Sequence, residues 1–180
     1  MQTEPLLLQV HPELDEFGAV LSRNGVLPVP SYHLGEESLA TPNGVSYELS
    51  LSNTGEGVLL SGRAFADVHG SCARCLKPVV EHVEGSVEGY YLFDAAAAVE
   101  GYEQDEFDAV AEDGTIDVSG PIMAALVYGT PFILLCSEDC AGLCPTCGAD
   151  LNEGPCSCGS GDAVDPDNPF AALKNLKFDE

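Results

Sequence analysis

The sequence predicts an α+β protein: a mainly antiparallel β body with a short helix and a cysteine-rich, zinc-stapled C-terminal part. Three observations carry this prediction. Apolar and polar residues alternate over several runs between Val45 and Phe93, the period of a half-buried strand. One run after Asp117 carries a helical stripe, and six of the eight cysteines fall between Cys136 and Cys158. The 180 residues, 45% apolar, suffice for one compact body with an appendage. The expected division is 1-135 as the β body, 136-159 as the cysteine-rich segment, and 160-180 as a linker and C-terminal helix.

Within the body, "VSYELSL" sets Val45, Tyr47, Leu49 and Leu51 against Ser46, Glu48 and Ser50, and Val58 to Val68 alternates similarly. After Pro78, Val79, Val83, Val87, Tyr91 and Phe93 share one parity, while His82, Glu84, Ser86 and Glu88 share the other. These two strands flank "CARC" and predict a hairpin. Residues 94-113 hold eight acidic side chains and no basic one, so self-repulsion points to a mobile acidic loop, or to a short exposed helix over Ala95 to Ala98. In "IDVSGPIMAALVYGTPF", Ser119 offers a helix-start acceptor and Pro121 suits the first turn. Ile122, Ala125, Leu126 and Gly129 share one face, and Pro131 ends the helix. The apolar run Phe132 to Leu135 is then expected to be buried and to lead into Cys136. At the far end, "NPFAALKNLK" reads as a helix capped by Asn168, with Phe170, Leu173 and Leu176 on one side, to dock on the body in preference to serving as a recognition peptide in a partner's groove.

The start of the chain lacks a basic flank, and its apolar run, Leu6 to Leu8, is too short for a signal-peptide core or a membrane span. A cytoplasmic protein without membrane contact is expected. Reducing conditions there disfavour disulfides and leave closely spaced cysteines as metal ligands. Zinc takes four such ligands tetrahedrally, and a two-residue gap lets one tight turn supply two of them. Cys72 and Cys75 have that gap, as do Cys144 and Cys147; Cys136 and Cys140 are separated by three residues, and Cys156 and Cys158 by one.

Eight thiolates point to two zinc ions, although spacing alone leaves their pairing open. Hairpin topology favours Cys72, Cys75, Cys136 and Cys140 as one site, because a tip at "CARC" needs two ligands from elsewhere. Cys144, Cys147, Cys156 and Cys158 can then close the second within fifteen residues. An iron–sulfur cluster also accepts four thiolates, and a thiol-redox protein using the CxxC pairs is a further alternative. His69 and His82 lie near "CARC" in sequence but read as strand-surface residues; Arg74 and Lys77 read as screening charge beside the thiolates. No nucleophile triad, phosphate-binding glycine loop or helical metal-protease motif occurs, so no enzyme is expected.

Thirty acidic side chains against six basic ones give a formal charge of −24, and no Lys or Arg lies between Lys77 and Lys174. Eight thiolates add eight negative charges and two zinc ions return four positive ones, taking the −24 to −28. Such a surface repels phosphate and suits a basic protein partner. Direct contact with structured RNA would fall to Arg63, Arg74, Lys77, Lys174 and Lys177.

The order "CARCLKP", "GTIDV", "CSEDCAGLCPTCGADLNEGPCSC" and "DPDNPFAALKNLK" resembles the YceD-like family, the large ribosomal RNA subunit accumulation proteins, from about Cys72 to Lys177. The resemblance implies a bacterial cytosolic factor in large-subunit biogenesis and 23S rRNA accumulation, without known enzyme activity. Its partner would be a basic large-subunit ribosomal protein or the pre-ribosomal particle. Some members of the family that the chain resembles keep the CxxC and a cysteine like Cys140, carry His where Cys136 stands, and lack the later cysteines, which fits the first grouping. The stretch "PIMAALVYGTPF" departs from the acidic, Leu-rich helix common in the family.

Overall fold

The computed structural model describes residues 4–94 and 108–158. The chain divides into two compact units, Met1–Ala73 with Lys77–Cys136, and Arg74–Leu76 with Ser137–Glu180. Among the described residues, the first holds all the regular elements: β1 Leu7–Gln9, β2 Val20–Leu27, β3 Ser31–Leu34, β4 Glu37–Ala40, β5 Val45–Asn53, β6 Gly57–Ser71, β7 Pro78–Leu92, β8 Asp108–Ala109, β9 Thr115–Asp117 and α1 Ser119–Gly129. The linker and terminal helix expected after Cys158 lie outside the described residues. So does the middle of the expected acidic loop; its end forms β8, which runs parallel to β7, and the turn into β9.

A seven-stranded sheet runs β2-β5-β6-β4-β3, with β7 on the other edge of β6 and β8 beyond it; β1 and β9 form a separate antiparallel pair. The alternation fixes the sheet's orientation. Val45, Tyr47, Leu49 and Leu51 of β5 are buried, as are Val58, Leu60, Ala64, Ala66 and Val68 of β6 and Val83, Val87 and Tyr91 of β7. β6 and β7 form a hairpin of fifteen residues per strand, paired from Gly57↔Leu92 to Ser71↔Pro78. At the strand rise of about 3.3 Å per residue it reaches about 50 Å and carries Cys72 and Cys75 at its tip.

Helix α1 buries Ile122, Ala125 and Leu126 on the sheet. Its backbone comes close enough to β7 that a side chain at Gly85 would strike the Ala125 carbonyl, so this strand position needs glycine. The helix start differs from the sequence reading. Val118 is the N-cap and no side chain caps from Ser119; the carboxylate of Asp117 instead accepts the Ser119 N–H at 2.9 Å and the Leu6 N–H at 3.0 Å. One acidic side chain thus ties β1 to the helix. At the other end, the Thr130 hydroxyl donates to the Leu126 carbonyl at 2.7 Å. With that hydrogen used, the buried Tyr32 hydroxyl must donate to Thr130 Oγ1, 2.6 Å away.

The run Phe132 to Leu135 is not buried as a whole. Phe132 and Ile133 are 86% and 59% exposed, while Leu134 is buried. The Leu134 carbonyl accepts the Ala73 N–H at 2.9 Å, and the Leu134 side chain lies against Gly70. An apolar run signals burial of its members on average, but one backbone bond here decides which of them points inward.

Candidate metal centres

The two CxxC turns are built alike. The Cys72 N–H donates to the Lys77 carbonyl and the Cys144 N–H to the Ala149 carbonyl, both at 2.8 Å, so each loop closes from the first cysteine to the fifth residue beyond it. In both, the residue after the second cysteine turns left-handed: Gly148 at φ 72° and Leu76 at φ 61°. Gly148 accepts this without strain; Leu76 does not.

Downstream, Leu143 bridges to Asp150, and the Leu151 N–H donates to the Gly142 carbonyl at 2.9 Å. Arg74 holds the same segment: its backbone carbonyl accepts the Leu143 N–H at 3.1 Å, and its Nη1 donates to the carbonyls of Cys140 at 2.9 Å and Glu138 at 3.1 Å. Arg74 therefore straps carbonyls rather than merely screening thiolate charge.

Asn152 supplies the other brace. Its Nδ2 donates to Cys140 Sγ at 3.5 Å and to Asp150 Oδ1 at 2.7 Å, while its Oδ1 accepts the Ala141 N–H at 2.8 Å. Hydrogen bonds to a ligand sulfur orient it and ease its charge. Sequence reasoning assigned Asn152 no role; its position in "GADLN", just beyond the second turn, was the signal present.

The eight sulfurs gather in two groups, Cys72, Cys75, Cys136, Cys140 and Cys144, Cys147, Cys156, Cys158, each with its ligand atoms within 4.8 Å of one another. A zinc ion about 2.3 Å from each of four sulfurs sets those sulfurs about 3.8 Å apart, within that spread. Two cysteine tetrads are therefore positioned to hold metal ions. Cys72, Cys75 and Cys140 are buried and Cys136 is exposed; in the second group only Cys144 is buried. Neither group includes a histidine. His82 instead contacts Asp67 at 2.9 Å on the strand surface.

The donor chemistry asks for a cation. Amides of Cys147 and Thr146, then the Cys156 thiol, hold the Cys144 thiol down to about 6. The same crowding, led by its hydrogen bond with Cys147, pushes Cys158 up to about 12. Four thiols this close cannot all ionise against one another, and a divalent ion removes that conflict. With four sulfurs bound, no coordination position remains open, which fits a structural ion.

A family model described as "Large ribosomal RNA subunit accumulation protein YceD" matches residues 60–177. The chain belongs to this family. The YceD match takes in most of the β6–β7 hairpin, α1 and all eight cysteines. An uncharacterized protein of Mycobacterium tuberculosis strain H37Rv is 35% identical over 140 residues, 77% of this chain and 67% of its own length. One from Mycobacterium leprae is 29% identical over 149 residues, covering 82% and 68%. No solved structure matches the chain. Among the described residues, no helix is long and apolar enough to cross a membrane.

Proposed function

We propose that this protein is a non-enzymatic cytoplasmic factor of large-subunit biogenesis that supports 23S rRNA accumulation. It is stapled by two zinc ions and acts by holding a basic ribosomal protein on its acidic surface. The YceD family match carries this reading, since the family is described by accumulation of large-subunit ribosomal RNA and not by a reaction. Zinc on Cys72, Cys75, Cys136 and Cys140, and on Cys144, Cys147, Cys156 and Cys158, would supply folding free energy that unfolded thiols cannot recover.

The charge selects the partner. At −24, the chain repels an RNA backbone and attracts basic proteins, whose encounter it steers. The described arginines are engaged within the chain: Arg23 with Glu13 at 3.0 Å, Arg63 with Glu84 at 3.1 Å and Glu48 at 3.5 Å, and Arg74 with two carbonyls. That weighs against RNA as the direct ligand. The test is capture of extracted large-subunit proteins on the immobilised zinc-loaded chain over a salt series. Basic proteins should bind at low salt and elute as it rises. Absent or salt-insensitive capture would overturn the reading.

A further inference from the structure

The first unit carries a cleft of about 580 Å³, lined by His11, Asp15, Phe17, Asn53, Phe93 and Glu112 among others. None of its lining residues belongs to either tetrad. Three planar rings and two carboxylates meet there, and no Lys or Arg is among the described lining residues. A volume of this size is within the range of sites that enclose a ligand group.

Phe17 stands in the open, whereas Phe93 is half-buried and packs against the core. Phe17 is 80% exposed, yet its ring is seated on Gly55: a Cβ added there would lie 3.4 Å from Phe17 Cδ2. Gly55 is itself anchored, because its N–H donates to Asn53 Oδ1 at 2.7 Å, and the buried Asn53 donates Nδ2 to the Leu14 carbonyl at 2.7 Å. The His11 ring lies 6.4 Å from the Phe93 ring, centroid to centroid, and its Nδ1 is bonded to Asp15. A phenyl ring presented to water on a fixed seat is the form of a binding anchor, awaiting a partner that covers it.

The lining chooses the ligand's charge. An apolar ligand would strip water from Glu112 without pairing it, and an anion would meet Glu112 and Asp15, whose Oδ1 already faces His11, on a strongly acidic chain. A cation satisfies both the carboxylates and the ring faces. Guanidinium fits better than ammonium, because its plane stacks on a ring while its edge donates to carboxylate oxygens.

We propose that this cleft receives an arginine side chain from a basic protein segment, with Phe17 as the stacking anchor and Asp15 and Glu112 as its charge partners. The assignment rests on the reading that the acidic chain carries a basic partner, and it adds where that partner is gripped.

The test uses the full zinc-loaded chain and fluorescent oligo-arginine and oligo-lysine peptides of equal length, with binding followed by anisotropy at physiological ionic strength. Phe17→Ala leaves the net charge unchanged and removes a largely exposed ring, so the fold is retained. It should weaken oligo-arginine binding about five- to tenfold and oligo-lysine binding less. Glu112→Gln should weaken arginine binding, whereas Glu88→Gln, a loss of the same charge on β7, should not. Unchanged arginine binding by Phe17→Ala overturns the cleft, and an equal loss for both peptides overturns the choice of arginine. Salt-sensitive capture of ribosomal proteins that Phe17→Ala leaves intact would sink the cleft and spare the proposed function. Phe17-dependent arginine binding without any ribosomal-protein capture would do the reverse.

Discussion

Replacing Leu76 by glycine should stabilise the protein, although truncating a leucine usually does the opposite. Closing the turn from Cys72 to Lys77 requires Leu76 at φ 61°, where its Cβ crowds the following carbonyl at a cost of about 1–2 kcal/mol. The equivalent position in the second turn is Gly148, which has no such cost. Leu76 is 66% exposed, so removing its side chain forfeits little burial. Glycine's freer unfolded chain takes back about 0.5–1 kcal/mol. The remainder, about 0–1.5 kcal/mol, corresponds to a rise of up to about 6 °C in Tm for a chain of this size. Calorimetry with saturating zinc measures it, with Gly148→Leu as the mirror change expected to lower Tm. If Leu76→Gly lowered Tm while Gly148→Leu did not, backbone strain would not govern these turns.

Asn152→Leu removes the donor to Cys140 Sγ and the acceptor of the Ala141 N–H, and should weaken zinc binding at the first tetrad about tenfold in a chelator competition. Thr130→Val leaves the buried Tyr32 hydroxyl without its acceptor and should cost about 1–3 kcal/mol in denaturant unfolding; adding Tyr32→Phe should recover much of that loss. Because three of its four cysteines reach solvent, against one in the first group, the second tetrad should surrender its ion first to a chelator, as read by a zinc indicator. Acid should act on the same tetrad. The Cys144 thiol is held down to about 6, so the thiolate's contribution is whole above the ordinary cysteine value of 9 and is lost as pH falls through about 6. That describes the metal-free tetrad; bound zinc competes with protons for all four thiolates, so its retention should drop on acidification, and retention unchanged down to about pH 4 would count against thiolate ligation.

The central strands were legible because β5, β6 and β7 each bury one face, which writes a period of two into the sequence. Strand β2 was not, because its inward parity includes Arg23 and Gly25. Gly25 is overlain by the Tyr47 ring of the neighbouring strand, and Arg23 reaches out to Glu13. Packing from a partner strand supplies what β2 itself does not spell out. The helix was visible from Ile122, Ala125 and Leu126, but its start was misplaced, because Asp117 caps from outside the helix rather than Ser119 from its edge. Cysteine spacing marked both turns and left the pairing open; the β6–β7 hairpin sets "CARC" at its tip, and the fold groups its two cysteines with Cys136 and Cys140, far along the chain. Asn152 and the carbonyl bonds of Arg74 depend on contacts across a folded loop, which no local pattern encodes. The aromatic cleft draws on residues from His11 to Glu112, far apart in the chain and without shared spacing.

The most direct measurement is zinc per chain, by elemental analysis of protein purified without chelator, for the unaltered chain and for Cys75→Ser, Cys158→Ser and the double variant. Close to two ions in the unaltered chain are expected, with one lost in each single variant and neither kept in the double. No zinc in the unaltered chain, or a double variant that keeps the same single ion as either parent, would contradict two separate cysteine-held staples.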